Sequence, residues 1–588
     1  MKKNFRPRHQ SHQPPRSPQS STHSSGKPSG QALRIIPLGG QEEVGRNMTI
    51  FEYGNDIVIV DMGVQFPEED MPGIDYIVPN VAYLQGKEKN IRAVIFSHGH
   101  LDHIGAAPIL LEKLKNPTII GRPLTLALVK NRVEDFRKGG AKHLRTITIS
   151  RVTDQHRLGA FTATYFPVDH SIMDAVGVIL KTPAGTVIHP GDWTYEKNPI
   201  GRAMVHYDQL AKLPKPTVLM LESLGSTNTK ERVPERVMHD NLNRLIQDAP
   251  GRVIIATFSS QIERIKHVLE FAGSLGKKVA LDGYSMKLNI DVAQKLGYIK
   301  PGRNTLVPID QISKFPERRI VVLCTGAQGE PNAVLSRIVN GSHRFVKVKK
   351  TDTIIFSSSV IPGNERTIQR LKDNMYRMSD NVVHSDIMDI HSSGHSTAAD
   401  LIEVVKQIKP TYFLPVYANH YFLKEAEKLV TRRGYPKDHV FILDNGQVLE
   451  VTPQGAKSLE KKVPSDYVFV DGLGVGDISH VVLRDRQMLA EDGMFVIIVT
   501  IDKKTGALVK NGGMENPYII SRGFIYMKHS QQLLGAVRTK VIKILKDQES
   551  RAQADEAFIK NKIRDQIGQF LFTKTERRPM VLPVVIEV

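Results

Sequence analysis

The spacing of apolar residues changes character three times along the chain. From Leu33 they come in short β-branched runs closed by turns, at Leu33–Leu38, Met48–Tyr53, Ile57–Asp61 and Ala93–Ser97, which predict a β-rich opening. From about Pro216 the rhythm becomes strand then helix. It predicts strands at Thr217–Leu221, Arg252–Ala256 and Lys278–Leu281, interleaved with helices over 231–248, 260–274 and 285–296. Strands at Ile320–Leu323, Thr353–Phe356 and Tyr412–Val416 follow, with helices over 364–378 and 397–408. Such alternation argues for a parallel sheet with helices on its faces. After about Pro464 a third texture predicts strands near 467–470, 480–485 and 494–502, an amphipathic helix over 531–547, a charged helix over 549–570 and a last strand at Met580–Val588. No tandem repeat is visible.

Before Leu33 the pattern is missing. Residues 1 to about 31 are rich in Ser, Pro, Gln, His and Arg and nearly free of aliphatic side chains, so they cannot bury enough surface to offset chain entropy. This predicts a disordered tail, basic through Lys2, Lys3, Arg6, Arg8, Arg16 and Lys27. The remaining length is enough for two to four domains of roughly 100–200 residues. Across 588 residues, 80 Lys+Arg against 61 Asp+Glu leave a net charge of +19, which favours polyanionic partners. With 40% hydrophobic residues the chain reads as globular, and no apolar run reaches the ~18 residues of a membrane span. The basic start is not followed by an apolar segment, so it does not read as a secretory signal. Cys324 is the only cysteine, which excludes an internal disulfide and a thiolate cluster and suits a cytoplasmic location. Any metal must be held by histidine and carboxylate.

Such ligands are concentrated in Ser97-His98-Gly99-His100-Leu101-Asp102-His103, directly after an apolar strand. Alternating His98 and His100 can point to one cation, while Asp102 and His103, opening the next turn, can point to a second about 3.5–4 Å away. Two single ligands follow strands further on, His170 after Phe166-Pro167-Val168-Asp169 and Asp192 after His189-Pro190-Gly191. Asp61 ends Ile57-Val58-Ile59-Val60 and suits a role orienting ligands. Later, Ser392-Ser393-Gly394 offers small side chains that let backbone N–H groups approach a phosphate ahead of a helix beginning near Ser396. His391 and His395 flank it and can bind phosphate oxygens or protonate a leaving oxygen.

The His-x-His-x-Asp-His loop followed by single His and Asp ligands resembles the metallo-β-lactamase superfamily, and the α/β insert resembles its β-CASP branch. Longer motifs resemble the ribonuclease J family: Gly39-Gly40-Gln41-Glu42-Glu43-Val44-Gly45-Arg46-Asn47-Met48, Thr325-Gly326-Ala327-Gln328-Gly329-Glu330-Pro331, Ile361-Pro362-Gly363-Asn364-Glu365 and Val470-Asp471-Gly472-Leu473-Gly474-Val475-Gly476-Asp477. The likeness runs from about Ala32 to Val588. It implies an α/β fold: a metallo-β-lactamase αβ/βα sandwich over 32–220 and 396–465, a β-CASP domain over 221–395, a linker over 466–484 and a small α+β domain over 485–588.

The resemblance also implies two divalent cations, zinc or else manganese, with His98, His100 and His170 on one, Asp102 and His103 on the other and Asp192 bridging. Asp192, Asp102 and His395 are the implied catalytic groups. Glu222 matches the acidic residue that begins the insert, although Leu224-Gly225 lengthens that stretch. His391 to His395 resemble a substrate-phosphate loop, and Ser259, Ser260 and Gln261 a segment lining an RNA channel. The implied activity is 5′-to-3′ exonucleolytic hydrolysis of single-stranded RNA with 5′-monophosphate ends, together with endonucleolytic cleavage, in RNA maturation and decay. A homodimer or homotetramer is implied, and a helicase or the ribosome are candidate partners of the tail. One position departs from the family: Tyr417 stands in Pro415-Val416-Tyr417-Ala418-Asn419-His420 where a metal-binding histidine is expected, so either His420 replaces it or the second metal has one protein ligand fewer. A DNA-directed nuclease of the same branch and a non-catalytic RNA-binding scaffold remain as alternatives.

Overall fold

The computed structural model of the chain describes residues 31–330, 332–361, 364–503, 507–509, 517–525, 530–549 and 556–588, so the tail up to residue 30 lies outside the described residues. Two sheets face each other at the centre. The first has eight strands in the spatial order Gly455–Ser458, Leu449–Thr452, Leu33–Gly39, Met48–Tyr53, Asp56–Val60, Ile91–Ile95, Ile119–Gly121 and Thr146–Thr148. The second has six, in the order Tyr412–Val416, Thr217–Glu222, Gly185–His189, Val176–Thr182, Phe161–Pro167 and Gln155–Leu158. Their strands are apolar on both faces because both faces are covered. In Asp56–Val60, Val58 and Val60 pack between the sheets with Val178, Val187 and Met220, while Ile57 and Ile59 pack outward with Leu110 and Val129 of the helices Ala107–Lys113 and Pro123–Phe136. The outer face of the second sheet is covered by the helices Ala398–Ile408 and His420–Thr431. The result is the helix–sheet–sheet–helix sandwich that the sequence implied.

Between strands Thr217–Glu222 and Tyr412–Val416 the chain makes a separate five-stranded parallel sheet, ordered Lys278–Asp282, Ile320–Cys324, Val253–Ala256, Thr353–Phe356 and Asn381–His384, with helices on both faces. The strands entering and leaving this insert are parallel neighbours, with Glu222 opposite Val416. They are clasped at the other end, where Thr217 N–H donates to Thr411 Oγ1 (3.1 Å) and Thr411 N–H to Thr217 Oγ1 (3.0 Å).

After the sandwich the strand Val468–Asp471 lies antiparallel to Tyr76–Val78. The strand expected over 480–485 is instead the start of a helix, His480–Asp492. Val481-Val482-Leu483 imitates a strand in sequence, but only Leu483 of the three is buried, and the good helix formers from Arg484 to Glu491 carry the turn onward. The terminal unit is a three-stranded sheet of Tyr518–Arg522, Met494–Ile501 and Met580–Glu587, backed by helices Gln531–Glu549 and Glu556–Thr575. The second of these runs on past the end that its charge pattern suggested. No described helix is long and apolar enough to cross a membrane.

Candidate functional site

The site forms where strand ends of the two central sheets meet. Asp61 closes the strand Asp56–Val60 in the left-handed region, φ +63°, which aspartate tolerates better than most residues. Its carboxylate accepts hydrogen bonds from Ser97 N, Ser97 Oγ and His103 Nδ1, each at 2.8 Å. This places the loop between Ile91–Ile95 and the short helix Leu101–Ile104, and it settles ring protonation. A carboxylate only accepts, so His103 carries a proton on Nδ1; burial opposes its charge, but Asp192, Asp102 and Asp61 push it well above the ordinary imidazole range, and a cation would take the place of the second proton on Nε2. The single Ser97 hydroxyl proton goes to Asp61, so His98 Nδ1, 3.0 Å from Ser97 Oγ, must donate and leave Nε2 bare. His170 Nδ1 donates to the carbonyl of Gly394 (2.7 Å), which again bares Nε2.

These bare nitrogens converge. His98 Nε2 and His170 Nε2 lie 3.2 and 2.9 Å from His100 Nδ1, and Asp192 Oδ2 lies 4.0 and 3.9 Å from the first two. Donors set tetrahedrally at 2.0–2.1 Å from one cation are separated by ~3.3 Å, so the spacing suits a single ion. Lone pairs facing one another at this range repel unless a cation or proton lies between them. Burial and mutual repulsion push His98 and His100 well below the ordinary imidazole range, and burial takes His170 down to about 4, leaving all three neutral, the form that binds metals. A second, three-donor cluster adjoins it: His103 Nε2 is 3.2 Å from Asp192 Oδ1 and 3.5 Å from Asp102 Oδ2. Asp192 thus turns one oxygen to each cluster.

His420 is not brought into either cluster. Its ring is 57% exposed and bonds Glu42 Oε1 at 2.7 Å. The reason is local: Tyr417 takes a left-handed turn (φ +62°) straight after Tyr412–Val416, so its own ring swings inward while His420 opens the next helix on the surface. Tyr417 stacks edge-on against His103 and its Oη lies 2.6 Å from His189 Nε2. Gly191 N–H donates to His189 Nδ1 (3.2 Å), so Nε2–H donates to the phenol oxygen. Burial, with Asp61 and Asp192 nearby, holds the phenol proton far above its usual range, so Tyr417 offers no phenolate.

The loop His391 to His395 closes the other side. His391 Nδ1 lies 2.8 Å from Arg264 Nη1, and an arginine can only donate, so His391 holds its proton on Nε2, which is buried without a partner. Burial and the adjacent guanidinium hold His391 well below the ordinary imidazole range. Arg264 is itself buried, bonds Ser357 O (3.1 Å) and Oγ (3.2 Å), and has no carboxylate partner among the described residues. Ser392 Oγ is a further buried polar atom without a partner. His395 Nδ1 lies 3.6 Å from Glu222 Oε2 and 4.0 Å from Asp192 Oδ2. Burial opposes its charge, but Glu222, Asp192 and Asp102 outweigh that and push it up to about 9. Glu222 is anchored by Leu224 N–H at 2.6 Å. The helix after the loop begins at Ala398 behind a capping box of Thr397 and Asp400.

Ser259, Ser260 and Gln261 lie in the turn between Val253–Ala256 and the helix Ile262–Ser274. Among the described contacts that segment reaches the phosphate loop through Arg264, not through these three side chains. Arg264 was detectable in sequence: it lies four residues before Val268 on the apolar stripe Ile265, Val268, Leu269, Ala272, where a charged side chain is out of place. Arg232, whose Nη1 donates to Ser393 O (3.1 Å), had no such signal.

Residues 42–221 match the family model of the metallo-beta-lactamase superfamily, residues 250–375 that of the ribonuclease J beta-CASP domain, and residues 481–588 that of the ribonuclease J C-terminal domain. The chain is 32% identical to ribonuclease J2 of Bacillus subtilis over 96% of its own length and 100% of that protein. It is 35% identical to ribonuclease J 1 of Streptococcus pyogenes, covering 94% of this chain and 97% of the relative. To ribonuclease J of Thermus thermophilus it is also 35% identical, over 94% and 95%.

Proposed function

Because the chain belongs to the ribonuclease J family, and so is a ribonuclease of the metallo-β-lactamase superfamily, we propose that it degrades single-stranded RNA from 5′-monophosphate ends in the 5′-to-3′ direction and also cleaves internally. The observation that carries this reading is the junction of the two clusters with the phosphate loop, where Gly394 orients the metal-binding face of His170. His98, His100, His170 and Asp192 hold one divalent cation, and Asp102, His103 and Asp192 the other; Asp61 orients His103. When bound, such cations supply acidification of a water nucleophile and stabilisation of charge on the phosphoryl oxygens.

The protein's own groups do the rest. His391 Nε2–H, Ser392 Oγ–H and the buried Arg264 behind them receive a phosphate, their unmatched donors and charge being the basis of the 5′-monophosphate preference. His395, kept cationic by Glu222, donates its proton to the leaving 3′-oxygen. Zinc suits the imidazole-rich first cluster. The terminal sheet exposes Leu582, Val584 and Ile586 on its outer face, a surface for a second copy in a homodimer or homotetramer.

The test is cleavage of a 5′-monophosphorylated, 3′-labelled RNA beside its 5′-hydroxyl and DNA counterparts, after metal removal and add-back of zinc or manganese. Metal-dependent release of mononucleotides, fastest from the monophosphorylated RNA, supports the proposal. Equal cleavage of DNA assigns a DNA-directed nuclease, and tight RNA binding without cleavage assigns a scaffold. The unequal imidazole content, three in the first cluster against one in the second, also predicts stepwise loss of zinc. Titration with a chelator, followed by elemental analysis, is expected to remove one equivalent well before the other.

A further inference from the structure

The second cluster has a neighbour whose side chain faces it with the wrong end. Asn47 leads into the strand Met48–Tyr53, and its backbone is tied to the site: its N–H donates to Asp102 O (3.0 Å) and its C=O accepts from Gly63 N (2.9 Å). The side chain is only 2% exposed. Nδ2 lies 2.9 Å from His103 Nε2 and 3.3 Å from Asp102 Oδ2, while Oδ1 is buried without a hydrogen-bond partner. The amide therefore abuts the ring nitrogen that His103 turns toward Asp102 and Asp192, the atom that would bind a cation.

The two ends of an amide are nearly the same size, and their orientation follows the groups around them. As it stands, the amide's N–H end faces the Asp102 carboxylate, which accepts from it. A divalent cation between Asp102, His103 and Asp192 reverses this, because it repels the N–H end and attracts the carbonyl dipole. Half a turn about the side chain's last bond exchanges the two and leaves the buried amide with no more unmatched atoms than before.

We propose that Asn47 is the fourth protein donor of the second cation site, through Oδ1, in the place left by Tyr417, whose hydroxyl is engaged by His189. This rests on the two-cation reading of the site. With Asn47 the second site has three oxygens and one nitrogen, a harder set than the three imidazoles and one carboxylate of the first, and therefore suits manganese better than its neighbour does.

The experiment measures metal binding without substrate. The protein is loaded with one equivalent of zinc, and binding of manganese is followed by the loss of free-ion paramagnetic resonance signal in wild type, Asn47→Ala and Asn47→Asp. Expected is a loss of manganese affinity of at least about tenfold in Asn47→Ala, an affinity at or above wild type in Asn47→Asp, and unchanged zinc affinity in both. Wild-type manganese affinity in Asn47→Ala overturns the assignment, as does an Asp variant no better than the Ala variant, or an equal loss of zinc. Wild type that binds a single metal equivalent overturns the two-cation reading as well, whereas two equivalents with an indifferent Asn47→Ala overturns this inference alone.

Discussion

Asp192→Ala is expected to lower turnover of 5′-monophosphorylated RNA by at least about 10³-fold and to leave less than one equivalent of tightly held metal. Asp192 is the one residue common to both clusters, with Oδ1 toward His103 and Oδ2 toward His98 and His170. Its loss removes the only carboxylate of the first cluster and one of two from the second. Asp192→Asn separates charge from shape, since it keeps the volume and removes the negative charge; a loss nearly as large assigns the effect to charge. Elemental analysis after gel filtration and single-turnover cleavage are the measurements. Activity within tenfold of wild type in Asp192→Ala would rule out the bridging role.

The second large effect belongs to His395. His395→Gln keeps a hydrogen-bond donor but no transferable proton, and is expected to reduce the chemical step by about 10²- to 10⁴-fold while both metal equivalents remain bound. The pH profile gives the sign. Its carboxylate neighbours raise His395 to about 9, so the acid form is present below that pH and activity falls as pH rises through it. Cations on Asp192 and Asp102 cancel part of that support and draw the alkaline limb downward, leaving Glu222 as the main group that holds the proton. Glu222→Gln should therefore shift the limb to still lower pH, with little change in the plateau rate. A limb that stays in place in Glu222→Gln, or survives in His395→Gln, assigns the titration to another group.

The parts of the site that could be read from the chain are those packed closely along it. His98 to His103 lie within one loop and turn, and so many ligating side chains so close together make sense only around a metal. Asp61, His170 and Asp192 each follow an apolar strand, and strand ends at the edge of two facing sheets come together. What could not be read depends on side-chain direction. His420 lies three residues from Tyr417, yet one left-handed residue sends the two to opposite sides of the chain. Asn47 sits within a glycine-rich motif, and its part as proposed here emerges only from the contacts of its amide with His103 and Asp102. The helix His480–Asp492 was hidden because three apolar residues in a row carry no period, and burial of one of them decides the matter.

The Thr217 and Thr411 clasp joins positions 194 residues apart, across the whole inserted sheet. Loop-closure entropy grows slowly, by only ~0.6 kcal/mol per doubling of length, so closing the clasp across the whole insert costs little more than closing it across a much shorter one; its effect is on timing. The six donors of the two clusters are all made by residue 192, but the carbonyl that orients His170 and the imidazole proposed as proton donor come from Gly394 and His395. On the roles proposed above, every metal donor is synthesised before the proton donor, and cleavage competence requires that the insert has folded and its exit strand has docked. For an enzyme assembled on an RNA template, that order is expected to keep the growing polypeptide harmless to its own message until the sandwich is closed.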